Sequence, residues 1–87
     1  MYQLKITPEG ARSLDRLPAK VRPAVAATIS GPLAENPQRL GKQLGSRLEG
    51  LRVARRGDYR IIYEIDEGER LVIVHRIQPR RDIYWRT

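Results

Sequence analysis

Tyr2-Gln3-Leu4-Lys5-Ile6-Thr7 alternates apolar and polar side chains, the period-2 signature of a strand with one buried face. Thr7-Pro8-Glu9 then has the chemistry of a helix start: a hydroxyl that can cap free N–H groups, followed by a proline whose fixed φ suits the first helical position. Ala11, Leu14 and Leu17 recur at helical spacing and predict one amphipathic helix of about two to three turns. Pro18 opens the next element, in which Val21, Val25, Ile29 and Leu33 recur at intervals of four. Pro32 lies inside that second pattern and lacks the N–H a helix needs, so a kink or break is expected there. The two helices are expected to form a hairpin with both apolar stripes facing a sheet, and Asn36-Pro37 to close it.

Residues 38–50, rich in glycine and charge, read as a loop pinned to the core by Leu44, Leu48 and Leu51. Beyond it lie three strand candidates: Leu51 to Arg56, Tyr59 to Asp66, and Leu71 to Ile77. Gly57-Asp58 and Glu67-Gly68-Glu69 are short enough to make them an antiparallel meander. On the middle strand Tyr59, Ile61, Tyr63 and Ile65 share one face, the expected core side, and Arg60, Ile62 and Glu64 share the other. The order β-α-α-β-β-β gives a single α+β domain over residues 1–87. Its helices cover one sheet face and leave the other partly bare, with Arg60 projecting from it.

With 87 residues the hydrophobic core is small, and with no cysteine neither disulfides nor thiolate-bound metals can reinforce it. No apolar run approaches the ~20 residues needed to cross a bilayer, and a soluble, cytoplasmic protein is expected. Net charge is +7 and the isoelectric point is about 10.6, which calls for an anionic partner. Fourteen of the seventeen basic residues are arginine, and from Leu51 onward all nine are, so the charge is concentrated on the three strands and the C-terminal segment. No strongly amphipathic basic helix is present, which disfavours a membrane surface as that partner.

Conventional catalytic sets are missing. His75 is the only histidine, lies within an apolar strand and reads as structural, so neither a Ser-His-Asp triad nor a zinc site is expected. The glycines at 41, 45 and 50 lack the strand–loop–helix setting of a phosphate loop. What remains is arginine plus tyrosine. Guanidinium forks match phosphate oxygens and can neutralise charge developing on a pentacoordinate phosphorus, but they cannot act as a base at ordinary pH. Such a site cuts RNA well only if something else holds the substrate in line for 2′-hydroxyl attack.

The run Gly50-Leu51-Arg52-Val53-Ala54-Arg55-Arg56-Gly57-Asp58-Tyr59-Arg60-Ile61-Ile62-Tyr63-Glu64-Ile65-Asp66, followed by Arg80-Arg81-Asp82-Ile83-Tyr84, resembles the RelE toxins of bacterial toxin–antitoxin systems, within the RelE/ParE superfamily. The similarity extends over essentially the whole chain. It implies a ribosome-dependent endoribonuclease (mRNA interferase), needing no metal or other cofactor, that cuts mRNA in the A site of the 70S ribosome and is silenced by a cognate acidic antitoxin. By the same resemblance Arg60 contacts the scissile phosphate, Arg80 stabilises the transition state or leaving group, and Tyr84 stacks on or orients the nucleotide. Arg55 helps hold the RNA backbone, with Arg52 or Arg56 in that role if the register shifts by one, and Arg81 is a neighbouring contact. Three positions depart from the pattern: Pro79 stands where many relatives have histidine, and Val53 and Arg55 replace lysines that act as base in some members.

Two other functions fit the same scaffold. A ParE-like inhibitor of DNA gyrase cuts nothing, and the pairing of Arg80 with Tyr84 argues against it. An RNA- or ribosome-binding module that does not cleave is kept open by Pro79.

Overall fold

A computed structural model describes residues 1–43 and 50–79. Strand β1 (Gln3–Ile6) leads into helix α1 (Pro8–Asp15), then α2 (Arg22–Thr28), which runs on as a wider π-helical turn over Ile29–Leu33. A single turn, α3 (Pro37–Leu40), precedes the strands β2 (Lys42–Gln43), β3 (Arg52–Arg56), β4 (Tyr59–Asp66) and β5 (Leu71–Pro79). The fold is α+β, with one five-stranded sheet in the order β1-β5-β4-β3-β2. β2 to β5 are antiparallel neighbours, whereas β1 pairs parallel to β5 and so joins the first strand to the last.

The first helix starts as its sequence predicts. Thr7 Oγ1 accepts from Gly10 N at 3.0 Å and Pro8 occupies the first turn. Its buried face is different from the expected stripe: Ala11 is exposed and Gly10 is buried. A Cβ at position 10 would lie 2.7 Å from Val74 O, so the missing side chain lets α1 press directly on the β5 backbone. Beyond Ile6 the outer edge of β5 has no strand partner among the described residues, and the cap residue Thr7 and α1 bond to it instead: Thr7 N donates to Val74 O, Thr7 Oγ1 to His75 O, and Ile77 N donates to Ser13 Oγ at 2.9 Å.

The proline in the second helix neither breaks nor ends it. Lacking an N–H and crowding the preceding turn, Pro32 is absorbed by the π-helical widening, after which the chain stays helical and Asn36 N donates to Pro32 O. Val25, Ile29 and Leu33 therefore all stay on the sheet side, buried with Tyr2, Leu17, Ala54, Ile61, Tyr63, Val72, Val74 and Ile77.

Two features lie outside the expected pattern. Part of the segment read as a loop forms α3 and β2, while Leu44 and Leu48 fall outside the described residues. In β5, Ile62 pairs with Arg76 but Tyr63 pairs with Val74, leaving His75 as the extra residue of a bulge. The bulge shifts the phase, which is why the core positions run Val72, Val74, then Ile77.

Candidate functional site

A two-residue turn, Gly57-Asp58, with Gly57 in the left-handed region at φ +60°, fixes the register of β3 against β4. In that register Arg55 lies directly across from Arg60, and Arg60 from Gln78 on β5. Tyr59, Ile61, Tyr63 and Ile65 belong to the core or pack against it, so the pleat sends Arg55 and Arg60 to the face away from the helices, as expected. Arg60 is nonetheless only 6% exposed. It sits on the central strand and borders a cavity of about 360 Å3 together with Leu40, Gly41, Lys42, Val53 and Arg55. Its long stem can be covered while the charged head reaches the cavity.

Among the described residues no carboxylate pairs with Arg55 or Arg60; Glu64 Oε1 instead hydrogen-bonds with His75 Nε2 at 2.6 Å, and Arg76–Glu9 forms an ion pair at 3.4 Å. Glu64 is therefore the partner of the bulge histidine and not of Arg60. A guanidinium covered to this degree, with no carboxylate partner among the described residues, is costly to maintain and attracts an external anion.

The remaining predicted residues divide sharply. Arg52 pairs in register with Tyr63 and so points to the helical side, where its Nη2 donates to Gln38 O at 2.7 Å and to Gly41 O at 2.9 Å. Tyr63, fully buried, donates its hydroxyl to Pro37 O at 2.6 Å. These bonds clasp α3 and the turn after it onto the sheet. Burial pushes the Tyr63 hydroxyl above the ordinary phenol value, against the opposing pull of the Arg52 guanidinium. Arg56 pairs with Tyr59 at the end of the hairpin and is exposed. Arg80, Arg81 and Tyr84 lie outside the described residues, which end at Pro79, the register partner of Tyr59.

Sequence reasoning missed Lys42. Two residues are too few for any periodicity to show, and only the pairing of Lys42 with Val53 places it on this cavity.

The class that this architecture defines is settled by comparison with known proteins. The family described as the ParE toxin of the type II toxin–antitoxin system parDE matches residues 4–84. Toxin RelE of Mycobacterium tuberculosis is 52% identical over 75 residues, 85% of this chain and 77% of that one. Toxin RelG of the same organism is 39% identical over 85 residues, 98% of each chain. The toxin–antitoxin complex RelBE2 from M. tuberculosis superposes with a TM-score of 0.86 at 36% identity, over 90% of this chain and 96% of that one. The isolated E. coli RelE toxin, at 17% identity, shares the fold with a TM-score of 0.76 over 91% of this chain and 84% of that one. The chain thus belongs to the RelE/ParE superfamily, as a RelE-type toxin of a type II toxin–antitoxin system.

Proposed function

We propose that this toxin is a ribosome-dependent endoribonuclease that cleaves mRNA in the A site and so stops translation. The observation that carries the reading is the cross-strand pair Arg55–Arg60 on the face away from the helices, bordering a cavity and lacking a carboxylate partner among the described residues.

In this mechanism the 2′-oxygen bonds to phosphorus while the bond from phosphorus to the 5′-oxygen breaks, leaving a 2′,3′-cyclic phosphate and a 5′-hydroxyl. The proton leaves the 2′-hydroxyl and another is delivered to the departing oxygen. Arg60 grips the scissile phosphate and Arg55 the adjoining backbone. Arg80 neutralises charge in the transition state, Tyr84 orients the nucleotide, and Arg81 is an ancillary contact. Arg52 serves the reaction through the clasp on α3, and Arg56 adds attraction at the rim. None of these arginines is a base, so orientation supplies much of the rate. That term is worth up to ~7–11 kcal/mol when the ribosome holds the message in line. No step calls for a metal ion. A cognate acidic antitoxin covers the cationic face when the toxin is silent; the RelBE2 neighbour is itself a toxin–antitoxin complex.

Primer extension on a reporter transcript after induction tests this. The parent should give codon-positioned cuts in a purified translation system, and none on the same RNA when ribosomes are left out. Arg60→Ala and Arg80→Ala should each reduce cutting by about 10²–10³-fold, the scale of losing one transition-state charge stabiliser. Undiminished cutting by both variants would remove the assignment of these residues. The matching family bears the ParE name, which favours gyrase inhibition as the second reading. Gyrase-linked DNA breaks without transcript cuts would establish that reading instead.

A further inference from the structure

Lys42 lies on an edge strand only two residues long, too short to be stable by its own hydrogen bonds. The chain leading to it is nevertheless fastened at several points. Arg52 holds the Gln38 and Gly41 carbonyls, Tyr63 holds the Pro37 carbonyl, and Gly41 is buried so close to β3 that a Cβ there would lie 2.6 Å from Val53 O. This is much support for an exposed lysine at a sheet margin.

The register shows what the support achieves. Lys42 pairs with Val53 and Val53 with Ile62, so those three share the sheet face that carries Arg55 and Arg60 two residues further along. The two rows are about 7 Å apart along the strands, the scale of one nucleotide step in a single strand. Between them lies the cavity of about 360 Å3, with cations on its rim and the side chains of Leu40 and Val53 in its wall. Its size is at the lower end of the roughly 300–1,000 Å3 range of ligand sites. Leu40 is 37% exposed, an apolar surface next to three positive charges.

We propose that Lys42 is a third phosphate-binding cation of the site and that the cavity seats one nucleotide of the RNA strand. The phosphates lie against Lys42 and the Arg55–Arg60 pair, and the base or ribose lies against Leu40 and Val53. This rests on the RNA reading above. A compact cavity combining apolar wall and converging cations fits a nucleotide, whereas an acidic protein segment would be met by a longer cationic stripe.

The test is binding of a fluorescent single-stranded RNA oligonucleotide to the full chain across a salt series. Parent, Lys42→Gln, Lys42→Arg, Leu40→Ser, Arg60→Ala and, as a net-charge control, Lys20→Gln on the exposed turn between α1 and α2 are compared. Lys42→Gln should weaken binding about three- to tenfold and lower the slope of log K against log salt by about one. Lys42→Arg should restore both, Leu40→Ser should weaken binding without changing the slope, and Lys20→Gln should change neither. If Lys42→Gln matches the parent while Arg60→Ala loses affinity and slope, the inference about Lys42 is wrong and the RNA reading stands. If the parent shows no salt-dependent RNA binding, the RNA reading fails first. If Lys42→Gln spares RNA but weakens capture of a poly-glutamate peptide, the cavity belongs to an acidic protein and the proposal is overturned.

Discussion

Tyr63 ties the core to the chain before β2: it is buried with Ile61, Val72 and Val74, and its hydroxyl reaches Pro37 O at 2.6 Å. Replacing it with phenylalanine keeps the ring but leaves a buried carbonyl without a donor, a loss of about 1–3 kcal/mol. The pH dependence of that loss identifies its cause. Burial raises the Tyr63 phenol, so the folded protein gives up this proton less readily than the unfolded chain. Its contribution is intact below the ordinary phenol value of about 10, and vanishes as pH climbs through that value toward the raised one. In urea melts from about pH 8 to 11, the stability gap between parent and Tyr63→Phe should be constant at first and then narrow. A gap that stays constant throughout would show that the phenol does not titrate differently in the two states. Arg52 gives the complementary lesson. The family resemblance offered it as an RNA contact if the register shifted by one, but the alternation of a strand puts it on the opposite face from Arg55, where peptide carbonyls claim it.

At the scale of elements, legibility in the sequence followed the strength of the local signal. Thr7-Pro8 fixed the start of α1, the intervals of four fixed the buried face of α2 and its continuation, and two short turns fixed β3, β4 and β5 as a meander. Three features depended on contacts far apart in the chain and left weaker traces. The burial of Gly10 over Ala11 reflects the closeness of α1 to Val74, and β2 exists only because β3 pairs with it. The bulge at His75 did leave a mark, since Val72, Val74 and Ile77 break strict alternation. The edge of β5 supplies a prediction of its own. Ser13 Oγ accepts from Ile77 N, so Ser13→Ala should leave that amide without a protein partner and cost about 1–3 kcal/mol. The Ile77 amide should also exchange with deuterium faster than its neighbours in β5. Unchanged protection at Ile77 would show that water or another group replaces the hydroxyl at no cost.

Across the whole molecule, the chain path separates core from charge. β1 and β2 occupy opposite edges of one sheet, so the helices between them must cross it, and they do so on one face only. The other face carries Arg55, Arg60 and Lys42 in a protein of net charge +7. An arrangement of this kind binds polyanions indiscriminately unless it is covered, with an affinity that falls steeply as salt rises. An acidic antitoxin that covers this face must therefore compete with RNA, whereas one that only grips the helices would allow both to bind. With purified antitoxin titrated against a fixed concentration of toxin and labelled RNA, the apparent dissociation constant for RNA should rise in proportion to free antitoxin. Charge reversal by Arg60→Glu should weaken antitoxin and RNA together, because both would draw on the same buried guanidinium. A saturable effect, with RNA still bound at high antitoxin, would mean that the partner acts from another surface and that silencing requires a change in the toxin itself.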